Sequence, residues 1–185
     1  MGKTMRSHLL PIATCLPLLA LACSGKTTSG TNDGDGGPCD QACMDTHTGV
    51  ALVQLVDQIY NGSINGKPVG NQSLTAPCPN GGNAVVTGST AYDMTNMITS
   101  VNLTYVMSGC ETTDNGDTLT FAGTVTEVGT FDSASEETLQ FSSNALQFSG
   151  TVSGTAVDVP GCPVQASDTW TSNPQIAGSI CGRSF

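Results

Sequence analysis

Leu119-Thr120-Phe121-Ala122-Gly123-Thr124-Val125 and Leu146-Gln147-Phe148-Ser149-Gly150-Thr151-Val152 are two copies of one pattern, L-x-F-x-G-T-V, offset by 27 residues. In each copy Leu, Phe and Val sit on odd steps, with Thr, Ser and Gln on several of the steps between. Period two with one apolar side is the pattern of a half-buried β-strand. Ala84-Val85-Val86-Thr87-Gly88-Ser89-Thr90 is a looser third copy. Two copies and a fragment are too few for a solenoid, which needs at least three stacked repeats. They read as equivalent strands of one antiparallel sheet. A glycine in mid-strand marks a sharp bend or a close backbone approach. Its recurrence at Gly123 and Gly150 points to a strongly curled sheet or a barrel.

Outward from these copies the same alternation continues. Val101, Leu103, Tyr105 and Met107 alternate with Asn102, Thr104, Val106 and Ser108. Asp114-Asn115-Gly116-Asp117 is a turn signal between this strand and the first copy. About seven strands are expected, near 83–92, 98–109, 118–130, 137–143, 145–158, 164–172 and 175–182. Residues 61–79 are rich in Gly, Asn and Pro and read as a long connection.

Upstream the period becomes helical. Leu52, Leu55, Val56, Ile59 and Tyr60 form one apolar stripe, which predicts a helix over about 46–61. Asp45, Thr46 or Thr48 could cap it, and Asn61-Gly62 is a stop signal. The stripe needs a partner, and the β region is the large one on offer. The expected fold is mainly β, or equally α+β: a curled antiparallel sheet with one N-terminal amphipathic helix packed on it.

The chain begins with a targeting pattern. Residues 1–8 carry Lys3 and Arg6 and no acid, and residues 9–22 are an apolar run interrupted by Pro11 and Pro17. That is a secretory signal peptide, too short to span a bilayer. Leu19-Ala20-Leu21-Ala22-Cys23 resembles the lipobox of bacterial lipoproteins, with Ala20 where Leu is commoner. The resemblance implies a diacylglycerol on the Cys23 thiol, cleavage before Cys23 and acylation of the new amino group. Ser24 in second place favours the outer membrane of a Gram-negative envelope. Two or three acyl chains give stable anchoring. Cys15 leaves with the signal. The expected organisation is a signal peptide at 1–22, a lipidated Cys23 with a flexible linker through 38, and a single disulfide-stabilised β-rich domain at 39–185.

The mature chain keeps three basic residues against 15 acidic ones, a formal charge of −12. Such a chain is repelled by nucleic acid, and three cations cannot follow a phosphate backbone. The acids are scattered, as on a solvated surface. Six cysteines remain: Cys39, Cys43, Cys78, Cys110, Cys162 and Cys181. An even number in an exported chain reads as disulfides, and six allow about 15 pairings. The nearest-neighbour set, Cys39–Cys43, Cys78–Cys110 and Cys162–Cys181, is the expectation.

Cys78-Pro79-Asn80-Gly81-Gly82, Cys110 and Cys181-Gly182-Arg183 together resemble uncharacterised exported bacterial lipoproteins with a C-P-x-G-G start and a C-G-R finish. That resemblance spans 78–183 loosely, and its motifs are structural, with no activity to transfer.

Groups able to do chemistry are sparse. Nucleophilic catalysis needs a base, and the mature chain offers His47, Lys26 and Lys67. There is no G-x-S-x-G, H-E-x-x-H, Walker or G-x-G-x-x-G motif. His47 near Cys39 and Cys43 lacks a fourth zinc ligand. Asn32-Asp33-Gly34-Asp35-Gly36-Gly37 imitates a calcium loop, but Gly37 and Met44 fall where ligands belong, so a solvated turn is expected. Adjacent Glu136 and Glu137 would point to opposite faces of a strand. A lone Trp170 is a core or rim aromatic, or a platform for sugar stacking. No cofactor or metal is expected. The leading expectation is a lipid-anchored envelope protein with a structural or interaction role and no enzyme activity. The alternatives are a module holding a lipid or other small apolar ligand in the concave sheet, and a carbohydrate-active enzyme.

Overall fold

The computed structural model describes residues 39–132, 137–170 and 175–185, the side chains of Asp132, Glu137 and Trp170 excepted. The signal segment, Cys15, Cys23, the linker with Lys26, the calcium-like turn at 32–37 and Glu136 lie outside the described residues, as does the Trp170 side chain.

Among the described residues one helix, α1 (Gln41–Ser63), precedes eight strands: β1 (Gly70–Pro77), β2 (Asn83–Asp93), β3 (Ile98–Asp114), β4 (Asp117–Asp132), β5 (Glu137–Val152), β6 (Thr155–Trp170), β7 (Gln175–Ile180) and β8 (Arg183–Ser184). All eight form a single antiparallel sheet in chain order, an open meander. The fold is mainly β with a helix packed on the sheet, as the sequence patterns predict. Helix α1 touches β1 and every strand from β3 to β8, so the sheet curls around it. Ala51, Leu52, Val53, Leu55, Val56 and Ile59 are all buried. Apolar contact thus extends well past a single stripe, as a helix enclosed on several sides requires.

Several boundaries differ from the expectation. Helix α1 starts earlier than 46, because Asp40 caps it: its Oδ1 accepts from Cys43 N–H at 2.9 Å. The helix then runs through Asn61-Gly62 and ends with Ile64 N–H bonded to Tyr60 O at 2.8 Å. Within the expected connection 61–79 lies β1, whose inward positions are Gln72, Leu74 and Ala76. A buried Gln and a small Ala hide the period-two signal; Gln72 Nε2 instead donates to Pro68 O at 2.9 Å.

The expected strands 137–143 and 145–158 are not separate units. Ser142-Ser143-Asn144 passes through a register shift inside one continuous β5. The true turn is Ser153-Gly154, with φ of 48° and 78°. Two consecutive positive φ values are what a two-residue hairpin needs. Asn115-Gly116, with φ of 49° and 90°, makes the expected turn between β3 and β4 in the same way. The last expected strand, 175–182, stops at Ile180, and Cys181-Gly182 turns the chain into β8.

The two copies of L-x-F-x-G-T-V are neighbours. They lie antiparallel on β4 and β5, with Phe121 directly opposite Phe148. Gly150 is pinned by this pairing: a Cβ there would lie 2.0 Å from Thr118 O, at a φ of 148°.

Three pairs of cysteines stand at disulfide distance: Cys39–Cys43, Cys78–Cys110 and Cys162–Cys181, with Cα separations of 5.4, 5.3 and 5.0 Å. The first staples the opening turn of α1. The second joins the connection after β1 to β3, where Glu111 N–H bonds Gly81 O and Asn80 N–H bonds Glu111 O. The third joins β6 to the turn between β7 and β8.

Candidate functional site: an uncharged outer face

Residues opposite one another in an antiparallel sheet project to the same side. One lateral line reads Ser73, Thr87, Thr104, Thr126, Ser142, Gln165, Ser179 and Ser184, one residue from each strand. Strands lie about 4.8 Å apart, so this line crosses the whole sheet. None of its members is buried, and all face away from α1. Beside it runs Asn71, Ser89, Asn102, Val128, Gln140, Ser167 and Ala177. Next comes Ala91, Ser100, Thr130, Thr138, Thr169 and Gln175. No residue of these three lines is charged.

The acids lie elsewhere. Asp93 and Asp132 share a register at one end of the strands. Glu111, Asp114, Asp117 and Asp158 gather toward the other. Glu127 and Asp168 point inward and are buried. Tyr105 O–H donates to Glu127 Oε2 within the core, and burial together with that carboxylate pushes the phenol pKa up. Burial raises the Asp168 pKa as well; among the described residues its Oδ1 has no hydrogen-bond partner. The chain has a formal charge of −10, so a face this large without charge is a marked segregation.

A groove of about 500 Å³ opens within this face across β4 to β7. Its rim is Thr126, Gln140, Ser142, Gln165, Ser167 and Ser179; Val128, Phe141, Ala166, Ala177 and Gly178 supply its apolar wall and floor. Thr126 Oγ1 and Ser142 Oγ are 2.7 Å apart, and Ser167 Oγ donates to Ala177 O at 3.3 Å. Each hydroxyl and amide can donate and accept, but none is a base or a strong nucleophile without one.

The residues with chemical potential in the sequence are placed far from this groove. His47 Nδ1 is 2.5 Å from Asp117 Oδ2, and Asp117 Oδ1 accepts Ser153 N–H at 2.6 Å. Burial opposes ionisation of Asp117, but these hydrogen bonds outweigh it and hold the carboxyl pKa below its usual range. Cys39 and Cys43 pair with each other, and among the described residues no group of three or more His, Cys, Asp or Glu is arranged to hold a metal. Lys67 is an exposed turn residue. The C-G-R finish is a clasp on α1: Arg183 holds Asp45, and the Phe185 ring lies over Gly49.

The neutral face was only partly legible in the sequence. Its signal is the Thr, Ser and Asn at alternate positions, while the strand acids other than the buried Glu127 and Asp168 fall toward the strand ends. Reading it required the cross-strand register, which no single strand reveals.

No family model, no curated protein and no solved structure matches this chain.

Proposed function

We propose that the protein is a lipid-anchored component of the cell envelope, held in the outer membrane through Cys23, whose role is interaction and not catalysis. The uncharged outer face carries this reading. On a strongly acidic chain, most surfaces repel other acidic envelope components. The three neutral lines are the broad surface on which a partner meets no such field. Among the described residues the groove in that face has neither carboxylate nor imidazole on its lining, which supports binding without chemistry.

His47 near the start of α1 contacts Asp117 at the β3–β4 turn, while Tyr60 near its end stacks on Phe131 at 4.8 Å, toward the opposite strand ends. The chain therefore enters the domain at the β3–β4 turn end. The concavity that an apolar ligand would need is occupied by α1: Leu52, Val53, Leu55 and Val56 are at most 1% exposed.

The test is metabolic labelling of the full chain with radioactive palmitate in a Gram-negative host, followed by membrane fractionation. Label on the wild-type chain, and its loss with release of Cys23→Ala to the soluble fraction, are expected. A Cys23→Ala chain that stays in the membrane would overturn the anchor.

A further inference from the structure

We infer that the groove across β4–β7 is a binding site for a neutral glycan chain. This rests on the outer face being the interaction surface proposed above, and names its ligand class. The lining combines two things a sugar ring demands together. Sugar hydroxyls both donate and accept, and so do Gln140, Gln165, Ser142 and Ser167, whereas ammonium groups only donate and carboxylates only accept. The C–H faces of a sugar ring are apolar, and Val128, 48% exposed, offers an apolar patch beside Gln140.

The two glutamines are arranged for this. Gln140 pairs with Ser167, and Ser142 pairs with Gln165, so each amide faces a hydroxyl across the β5–β6 seam. Neither amide is held by another described residue. The groove volume falls within the roughly 300–1,000 Å³ usual for ligand sites.

Charge excludes the rivals. An anionic polymer would find no cation on the face and a net negative chain behind it. A cationic peptide would find no carboxylate among the described residues of the groove. A second copy of the sheet would need many apolar side chains to interdigitate, as face-to-face sheets do, and the three lines offer only Val128, Ala177 and Ala91.

The test is affinity electrophoresis of the full chain in detergent micelles, with dextran, laminarin or, as an acidic control, polygalacturonate in the gel. Retardation by a neutral glucan, unchanged by added salt, is expected. The double variant Q140A/Q165A should weaken it by about tenfold or more, while circular dichroism and disulfide content stay as in the wild type. Equal retardation of the double variant, stronger retardation by polygalacturonate, or none by either neutral glucan would each overturn the site. Because palmitate labelling reads the anchor independently, failure of the glycan site leaves that result standing.

Discussion

Arg183 and Asp45 lie 138 residues apart in sequence and meet in a two-point contact, Nε to Oδ2 at 2.7 Å and Nη2 to Oδ1 at 2.9 Å. Asp45 is 3% exposed and also accepts from Gln41 Nε2 at 2.9 Å. The bond to Asp45 raises the guanidinium pKa still further. The pair fastens the last strand to the first turns of the helix. Truncating Arg183 to Met leaves a buried carboxylate with little compensation. Because the Arg183 side chain is nearly half exposed, water softens the loss, and about 1–2 kcal/mol is expected. Urea titration checks it. In a double-mutant cycle with Asp45→Asn the two changes should be non-additive; additivity would mean the contact contributes nothing.

Phe185 is seated against a helical glycine. A Cβ added at Gly49 would lie 2.3 Å from the Phe185 ring. Gly49→Val should therefore destabilise the domain by about 1–3 kcal/mol through overpacking. Adding Phe185→Ala to Gly49→Val should recover part of that loss. Thermal unfolding of the single and double variants decides it: no recovery would place the strain elsewhere.

Phe121 and Phe148 face each other across β4 and β5 with ring centroids 6.1 Å apart. Either Phe→Ala change should cost about 3–5 kcal/mol, since both sites are buried. Replacing both should show a coupling of roughly 0.5–1.5 kcal/mol beyond lost area. A coupling indistinguishable from zero would reduce the pair to independent core residues.

Asp117 and Asp168 should respond to pH in opposite directions. The Asp117 pKa is lowered in the folded chain, so its stabilisation is present above the unfolded carboxylate pKa and lost as pH falls through the folded one. Asp117→Asn should then cost on the order of 1 kcal/mol near neutral pH and progressively less in acid.

The Asp168 pKa is raised by burial, so the folded chain holds that proton more tightly than the unfolded chain. Its ionisation opposes folding once pH rises past the unfolded carboxylate pKa. Asp168→Asn should stabilise the domain near neutral pH, on the order of 1 kcal/mol, with the gain vanishing in acid. Unfolding midpoints measured across the carboxylate range test both residues, and parallel pH profiles for the two variants would refute the assignment.

Legibility followed physical contrast. The alternation of Val101, Leu103, Tyr105 and Met107 against Asn102, Thr104 and Ser108 announces β3 because inward and outward positions differ strongly in polarity. In β1 the inward Gln72 and Ala76 erase that contrast, and the strand is silent. Ser153-Gly154 is silent for a different reason: Val152 pairs with Thr155, so the inward set moves from even to odd positions, but Thr155 is polar and exposed and the change of phase shows first at Val157. For the candidate site, the hydroxyl-bearing positions were visible one strand at a time. Their fusion into continuous lines depends on registers shifted by bulges at Met107/Cys110, Ala122/Thr126 and Ser143/Leu146, which no local pattern encodes.

The strand order has a consequence for how the molecule comes into being. Every strand's partner is the segment made just before or just after it. A chain threading out of a ribosome or a translocation channel can lay the sheet down one hairpin at a time, around a helix that has already emerged. The sulfur pairs keep to the same schedule, closing loops with sequence separations of 4, 32 and 19 residues, none enclosing another. The topology therefore permits assembly in the direction of synthesis. In that order the clasp of Arg183 and Phe185 on the helix would come last, once the other pairings of the sheet stand.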